Sequence, residues 1–286
     1  MKPASSSPAP TTTPSSIGST LAGNWVITSK APTTVTTVST FGSPDNEQVR
    51  LALTIDATED KIVAGGFGNH FCAKSAGSFN LANALSGMIA QDGTFTLQSP
   101  AGLLDTSTIT GKIPPGQGLP WSGTYTLAFG ESPAGLALGC VETVSDSFTA
   151  TYFPMVSGVY TGTATSMGAS TAITMQMQLN LQQGGVATDV VSGKTISGNT
   201  VLTGSIKVQG SPCFTTGTAS GGLSNVLGNR VQTQFVMDDG SMLGIVGTLS
   251  DPTEMKITTD SVRIAGPCVN AGFPVLYLSS ELDKQS

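Results

Sequence analysis

The run Met175-Gln176-Met177-Gln178-Leu179-Asn180-Leu181-Gln182 alternates apolar and polar residues over eight positions. A period of two keeps one side of an extended chain apolar, whereas on a helix the same residues would scatter around the axis. Residues 49–55 and 231–237 alternate in the same way, and Thr, Val, Ile and Ser fill the chain between short Gly-bearing breaks. The best helical spacing spans residues 79–88, where Asn80, Asn83, Ser86 and Gly87 weaken it. Two Asp-Gly steps, Asp92-Gly93 and Asp239-Gly240, each separate short apolar runs and supply the positive φ that a tight hairpin needs. The pattern predicts an all-β protein.

Four landmarks recur in one order. Trp25 is matched by Tyr160, Cys72 by Cys213, Gly93 of the first Asp-Gly turn by Gly240 of the second, and Cys140 by Cys268. The longer interval between turn and cysteine in the first copy is expected to be a loop within residues 99–120, around Pro114-Pro115-Gly116-Gln117-Gly118. We therefore read an internal duplication divided near Pro154, with β domains at residues 21–154 and 155–286. Each is the size of one small antiparallel barrel or sandwich. Four cysteines allow three pairings, and the duplication favours Cys72 with Cys140 and Cys213 with Cys268. Such bridges would stabilise each copy by roughly 4 kcal/mol in the chain-entropy account and belong in an oxidising compartment.

Gly23-Asn24-Trp25, and in relaxed form Gly158-Val159-Tyr160, resemble the Gly-x-Trp motif at the entrance to a lipocalin or calycin domain. The resemblance implies tandem eight-stranded up-and-down barrels in which Gly23 with Trp25, and Gly158 with Tyr160, close one end. Both rings would then be structural, with the Tyr160 hydroxyl reaching a polar partner or solvent. An immunoglobulin-like or other Greek-key sandwich carries similar short strands and stays open as the alternative. A membrane-spanning β-barrel is disfavoured by four cysteines, few aromatics and a polar C-terminal stretch.

Charge and composition narrow the function classes. Twelve Lys and Arg against 18 Asp and Glu give a net charge of −6, which argues against nucleic-acid binding. A single histidine, His70, leaves little for triads or multi-histidine metal sites, and its surroundings suggest a bland role. Of the first 20 residues, 14 are Ser, Thr or Pro, so residues 1–20 read as a disordered tether. No apolar core of a secretory signal is found there, and no run of 18 apolar residues that would make a helical membrane span occurs in the chain. Such spacers resemble those that follow the lipidated cysteine of bacterial surface lipoproteins. The expectation is an extracytoplasmic protein, secreted or attached to the cell envelope, with any export signal or lipid tether lost from this chain.

Catalytic signals are sparse. Ser192-Gly193-Lys194-Thr195 lacks the upstream glycine of a phosphate loop and reads as a hairpin tip. Asp56, Glu59 and Asp60 lack the ligand spacing of a calcium loop and read as a solvated turn. Asp238 and Asp239 are explained by their turn. We assign no catalytic, cofactor-binding or metal residue, and expect a non-enzymatic exported binding protein that holds a small apolar ligand in a barrel. The alternative is a structural or adhesive envelope module with filled β cores, contacting an envelope macromolecule.

Overall fold

The computed structural model describes residues 18–30, 47–58, 60–72, 75–100, 106–128, 143–166, 173–188, 193–270 and 278–285. They form two closed antiparallel β-barrels in tandem. The first comprises β1 (Gly23–Lys30), β2 (Glu47–Thr58), β3 (Lys61–Cys72), β4 (Ser75–Ile89), β5 (Thr94–Gln98), β6 (Thr106–Lys112), β7 (Trp121–Ala128) and β8 (Thr143–Phe153). Each strand pairs with the next, and β8 closes on β1. After β9 (Ser157–Ser166) and β10 (Thr174–Gln183), a side hairpin of β11 (Val186–Thr188) and β12 (Thr195–Ser197) interrupts the second barrel. It resumes with β13 (Leu202–Gln209), β14 (Thr216–Ala219), a short β15 (Asn225–Leu227), β16 (Arg230–Met237), β17 (Met242–Leu249) and β18 (Ile257–Ala265). A single turn of helix, α1 (Pro267–Asn270), precedes β19 (Leu278–Ser279) and β20 (Glu281–Lys284), which share the eighth place and return to β9.

Alternation in sequence becomes alternation in burial. In β10, Met175, Met177, Leu179 and Leu181 are buried while Gln176, Gln178, Asn180 and Gln182 are exposed. Closing the sheet leaves no edge strand and turns the apolar face into an interior. The weak helical spacing of residues 79–88 lies within β4, paired with β3 and β5, where the sheet supplies the hydrogen bonds that a helix rich in Asn and Gly would hold poorly. Both copies are barrels, and the sandwich alternative falls away.

Most landmarks of the duplication fall at matching places. Trp25 lies opposite Leu53 and Tyr152, and Tyr160 opposite Leu179 and Lys284. Cys72 and Cys213 both sit at the connection from the third to the fourth barrel strand. Two expectations require correction. Asp92-Gly93 joins the fourth strand to the fifth, whereas Asp239-Gly240 joins the fifth to the sixth, so these turns are not counterparts. Residues 99–120 are no simple loop either, because 106–112 form β6. The fourth-to-fifth connection of the second barrel is instead an arm over residues 220–229 that carries β15 and turns at Gly228.

That arm meets the first barrel. Val26 on β1 and Phe153 on β8 belong to the first barrel by pairing, yet both pack into the apolar cluster of the second. The outer wall of the first barrel thereby covers the Tyr160 end of the second. Fully burying side chains of this size contributes about 1.5–3 kcal/mol each. Residues 155–286 expressed alone are therefore expected to unfold cooperatively in a denaturant titration, but with stability roughly 3 kcal/mol below that of the full chain.

Candidate functional site

The first barrel is plugged by aromatic rings. Trp25 is fully buried, and its indole Nε1 donates to the Leu21 carbonyl at 2.7 Å. Trp121 meets it edge-on at 5.8 Å between centroids, Tyr152 at 5.1 Å, and Phe95 and Phe148 each contact Trp121 at 5.1 Å. The T-shaped pairs place positive ring edges on negative faces. Gly23 adopts φ +127°, and a Cβ there would lie 2.9 Å from the Tyr152 ring, so glycine is needed for both backbone and space. Around this plug, Ile27, Leu51, Leu53, Ile55, Ile62, Leu85, Leu97 and Ile109 form one contiguous buried cluster.

In the second barrel Tyr160 is likewise buried, beside Gly158 at φ +102°. Its hydroxyl is shut off from solvent, and the polar group that bears on it is the Ser157 main chain. Burial pushes this group up to about 12, against a smaller opposing effect of the Ser157 main chain. Met175, Met177, Phe214, Phe235, Leu243 and Ile245 are among the side chains of its contiguous core. At the end remote from the first barrel, Cys213 and Cys268 are joined as expected, their Cα atoms 5.6 Å apart. Asp239 lies close to both sulfurs, but the disulfide offers no thiolate and Asp239 already accepts from the Ser241 amide and hydroxyl. Asp238 does more than shape its turn, since it accepts from the amides and hydroxyls of Thr215 and Thr216 beside β14, and these hydrogen bonds hold its carboxyl below the usual value.

The densest polar constellation lies between the barrels. Asn24 and Gln183 form a reciprocal amide pair: Asn24 Nδ2 donates to Gln183 Oε1 at 2.9 Å, and Gln183 Nε2 donates to Asn24 Oδ1 at 2.7 Å. Their remaining groups are engaged as well. Asn24 Nδ2 reaches the Pro154 carbonyl, Gln183 Oε1 accepts from the Val156 amide, and Gln183 Nε2 donates to the Asn199 carbonyl. Thr54 Oγ1 lies within hydrogen-bond distance of Asn24 Oδ1 and the Val226 carbonyl, and accepts from the Gly228 amide at 2.8 Å. Gly228 has φ +58°, and a Cβ would stand 2.5 Å from the Trp25 carbonyl, so the arm can approach only with glycine at its tip. Nearby, the half-buried Asp56 carboxylate accepts the Asn199 amide at 2.9 and 3.1 Å, and Asn199 Nδ2 donates to the Ile55 carbonyl. Asp56 thus lies in β2 and not in a solvated turn with Asp60.

The Gly-x-Trp motif marks Gly23 and Trp25 and is silent on Asn24 between them. Strand alternation turns Asn24 outward from the first barrel. A signal did exist at Gln183: the alternation through Leu181 assigns position 183 to the buried row, where an amide requires a partner. His70, Cys72 and Glu59 have side chains outside the described residues, as does Cys140, so the Cys72–Cys140 pairing lies there too. Gly193 and Lys194 precede β12 in the side hairpin. Outside the barrels, a shallow concavity of about 440 Å³ lies across β9, β10, β13 and β20. No family model matches the chain, and no curated protein is significantly similar to it.

Asn24→Ala leaves Gln183 and the Pro154 carbonyl short of buried partners, each such loss costing about 1–3 kcal/mol. A destabilisation of about 3 kcal/mol is expected in denaturant melts, comparable with the roughly 3–5 kcal/mol expected for Trp25→Ala. Asp56 gives a pH signature. Desolvation raises its carboxyl above the ordinary 3.8, outweighing the lowering effect of the Asn199 amide. The stability linked to this raised group is fully present below 3.8 and is lost as pH rises through the raised value. Wild-type stability relative to Asp56→Asn should accordingly increase as pH falls across that interval, measured by paired melts.

Proposed function

We propose that this chain is a non-enzymatic structural or adhesive module of the cell envelope or exterior, a rigid scaffold that presents its outer surfaces to another macromolecule. The observation that carries this reading is the way its interiors are used. Both described cores are contiguous apolar clusters, and the first is stoppered by the Trp25–Trp121–Tyr152 ring group. The buried amides of Asn24 and Gln183 are consumed in joining one barrel to the other. Rigidity between the barrels suits a spacer or platform. The Cys213–Cys268 bridge supports an oxidising location.

We also read the barrels as lipocalin-like, supported by eight strands in sequential order and a buried tryptophan at the Gly-x-Trp place. Lipocalin-like barrels commonly carry apolar ligands, so the scaffold reading is tested against the carrier reading directly. Native mass spectrometry of the full chain purified from an oxidising compartment should give the mass of the polypeptide alone. A stoichiometric co-purified apolar molecule would overturn the scaffold reading in favour of a small-ligand carrier.

A further inference from the structure

The duplication lets each outer wall be compared position by position. Taking Trp25 with Tyr160 and Leu53 with Leu179 as matched pairs, Val26 opposite Ala52 corresponds to Thr161 opposite Gln178. Phe153 corresponds to Gln285, whose main-chain N–H donates to the Val159 carbonyl and whose side-chain amide donates to the Thr161 hydroxyl. The apolar trio by which the first barrel docks onto the second is thus replaced on the second barrel by a hydroxyl and two amides. This is the wall that carries the concavity of about 440 Å³.

Its lining defines a ligand class. Thr161, Thr163, Gln176, Gln178 and Gln209 supply groups that both donate and accept hydrogen bonds, while Lys207 and Asp283 bring one charge of each sign, Asp283 lying 3.8 Å from the Lys256 ammonium beside the groove. Gly162 and Met177, paired across β9 and β10, also line it, and the Met177 side chain belongs to the buried core. No aromatic or aliphatic anchor of the kind that centres a protein interface is present in this lining. A polyanion would meet neither a cationic excess in the groove nor one in the chain, whose net charge is −6. An apolar ligand would leave the amides desolvated and unpaired.

Resting on the scaffold reading above, we propose that this groove binds a neutral, hydroxyl-rich polymer, a polysaccharide lying across the strands. Register places Asp283, Thr161, Gln178 and Lys207 in one row, and Thr163, Gln176 and Gln209 in the next. Neighbouring strands are about 4.8 Å apart, so such a row repeats at a spacing comparable with the rise per ring in an extended sugar chain. Recognition by hydrogen bonds without stacking is weak per ring and gains strength from repetition along the polymer.

The test is an amide NMR titration of the full chain with cellohexaose and maltohexaose, and with an anionic oligogalacturonide as contrast. At least one neutral hexasaccharide should shift residues of β9, β10, β13 and β20 saturably, and more strongly than the oligogalacturonide. A Gln176→Ala, Gln178→Ala double variant, on exposed positions that leave the melt unchanged, should weaken this binding at least about tenfold. Absence of saturable shifts with both neutral sugars, equal binding by the double variant, or stronger binding of the anionic sugar would overturn the proposal. A silent groove together with empty barrels in native mass spectrometry overturns only this inference, whereas a ligand-filled barrel removes the scaffold reading beneath it.

Discussion

The buried amide pair of Asn24 and Gln183 is the constraint around which the two barrels are arranged. Two primary amides withdrawn from water are costly unless each donor and acceptor is met, and here they are met by each other and by the Pro154, Val156 and Asn199 main chain. Directional hydrogen bonds fix orientation in a way that apolar contact does not. The adjoining contacts, Val26 and Phe153 entering the second core and Gly228 against the Trp25 carbonyl, follow once that orientation is set. The seam accordingly reads as one interlocked joint between two cores.

This joint makes unequal use of equal halves. In the first barrel the connection from β4 to β5 is a tight turn, with Gly93 at φ +81°. In the second, the corresponding connection is the arm that ends at Gly228, and the connection before β13 carries the side hairpin and Asn199. Both elaborations stand at the end that faces the first barrel. The outer walls diverge in the complementary sense: the first offers Val26, Ala52 and Phe153 to its neighbour, while the second offers Thr161, Gln178 and Gln285. A polar wall does not invite the association that an exposed apolar face would. A polar wall with a groove is also free to meet a hydrated partner.

Much of this fold is legible along the chain because its information is local. The alternation from Met175 to Leu181 determines strand and facing together, since side chains on an extended backbone have a period of two. Chain order also determines the pairing of an up-and-down barrel, each strand meeting the next. The Cys213–Cys268 bridge and the burial of Trp25 could be anticipated for the same reason: each is a marked residue type at a place that the duplication repeats. Where local signs misled, they were generic. An Asp-Gly step makes a tight turn wherever one is needed, so it identifies a hairpin without saying which, and Gly93 and Gly240 serve different connections.

The sequence by itself determined an all-β chain, its duplication, its inward rows and the Cys213–Cys268 cross-link. Only the tertiary structure decided what the outward rows meet. Asn24, Thr54 and Asp56 are polar residues on outward positions of β1 and β2, indistinguishable by pattern from solvated ones such as Gln176 and Gln178. Burial of Asn24 and Thr54, and the long-range partners of all three, depend on the end of β10, an arm and a loop more than a hundred residues away. Strand periodicity reports which side of a sheet a residue faces; it carries no information about whether water or another barrel lies on that side.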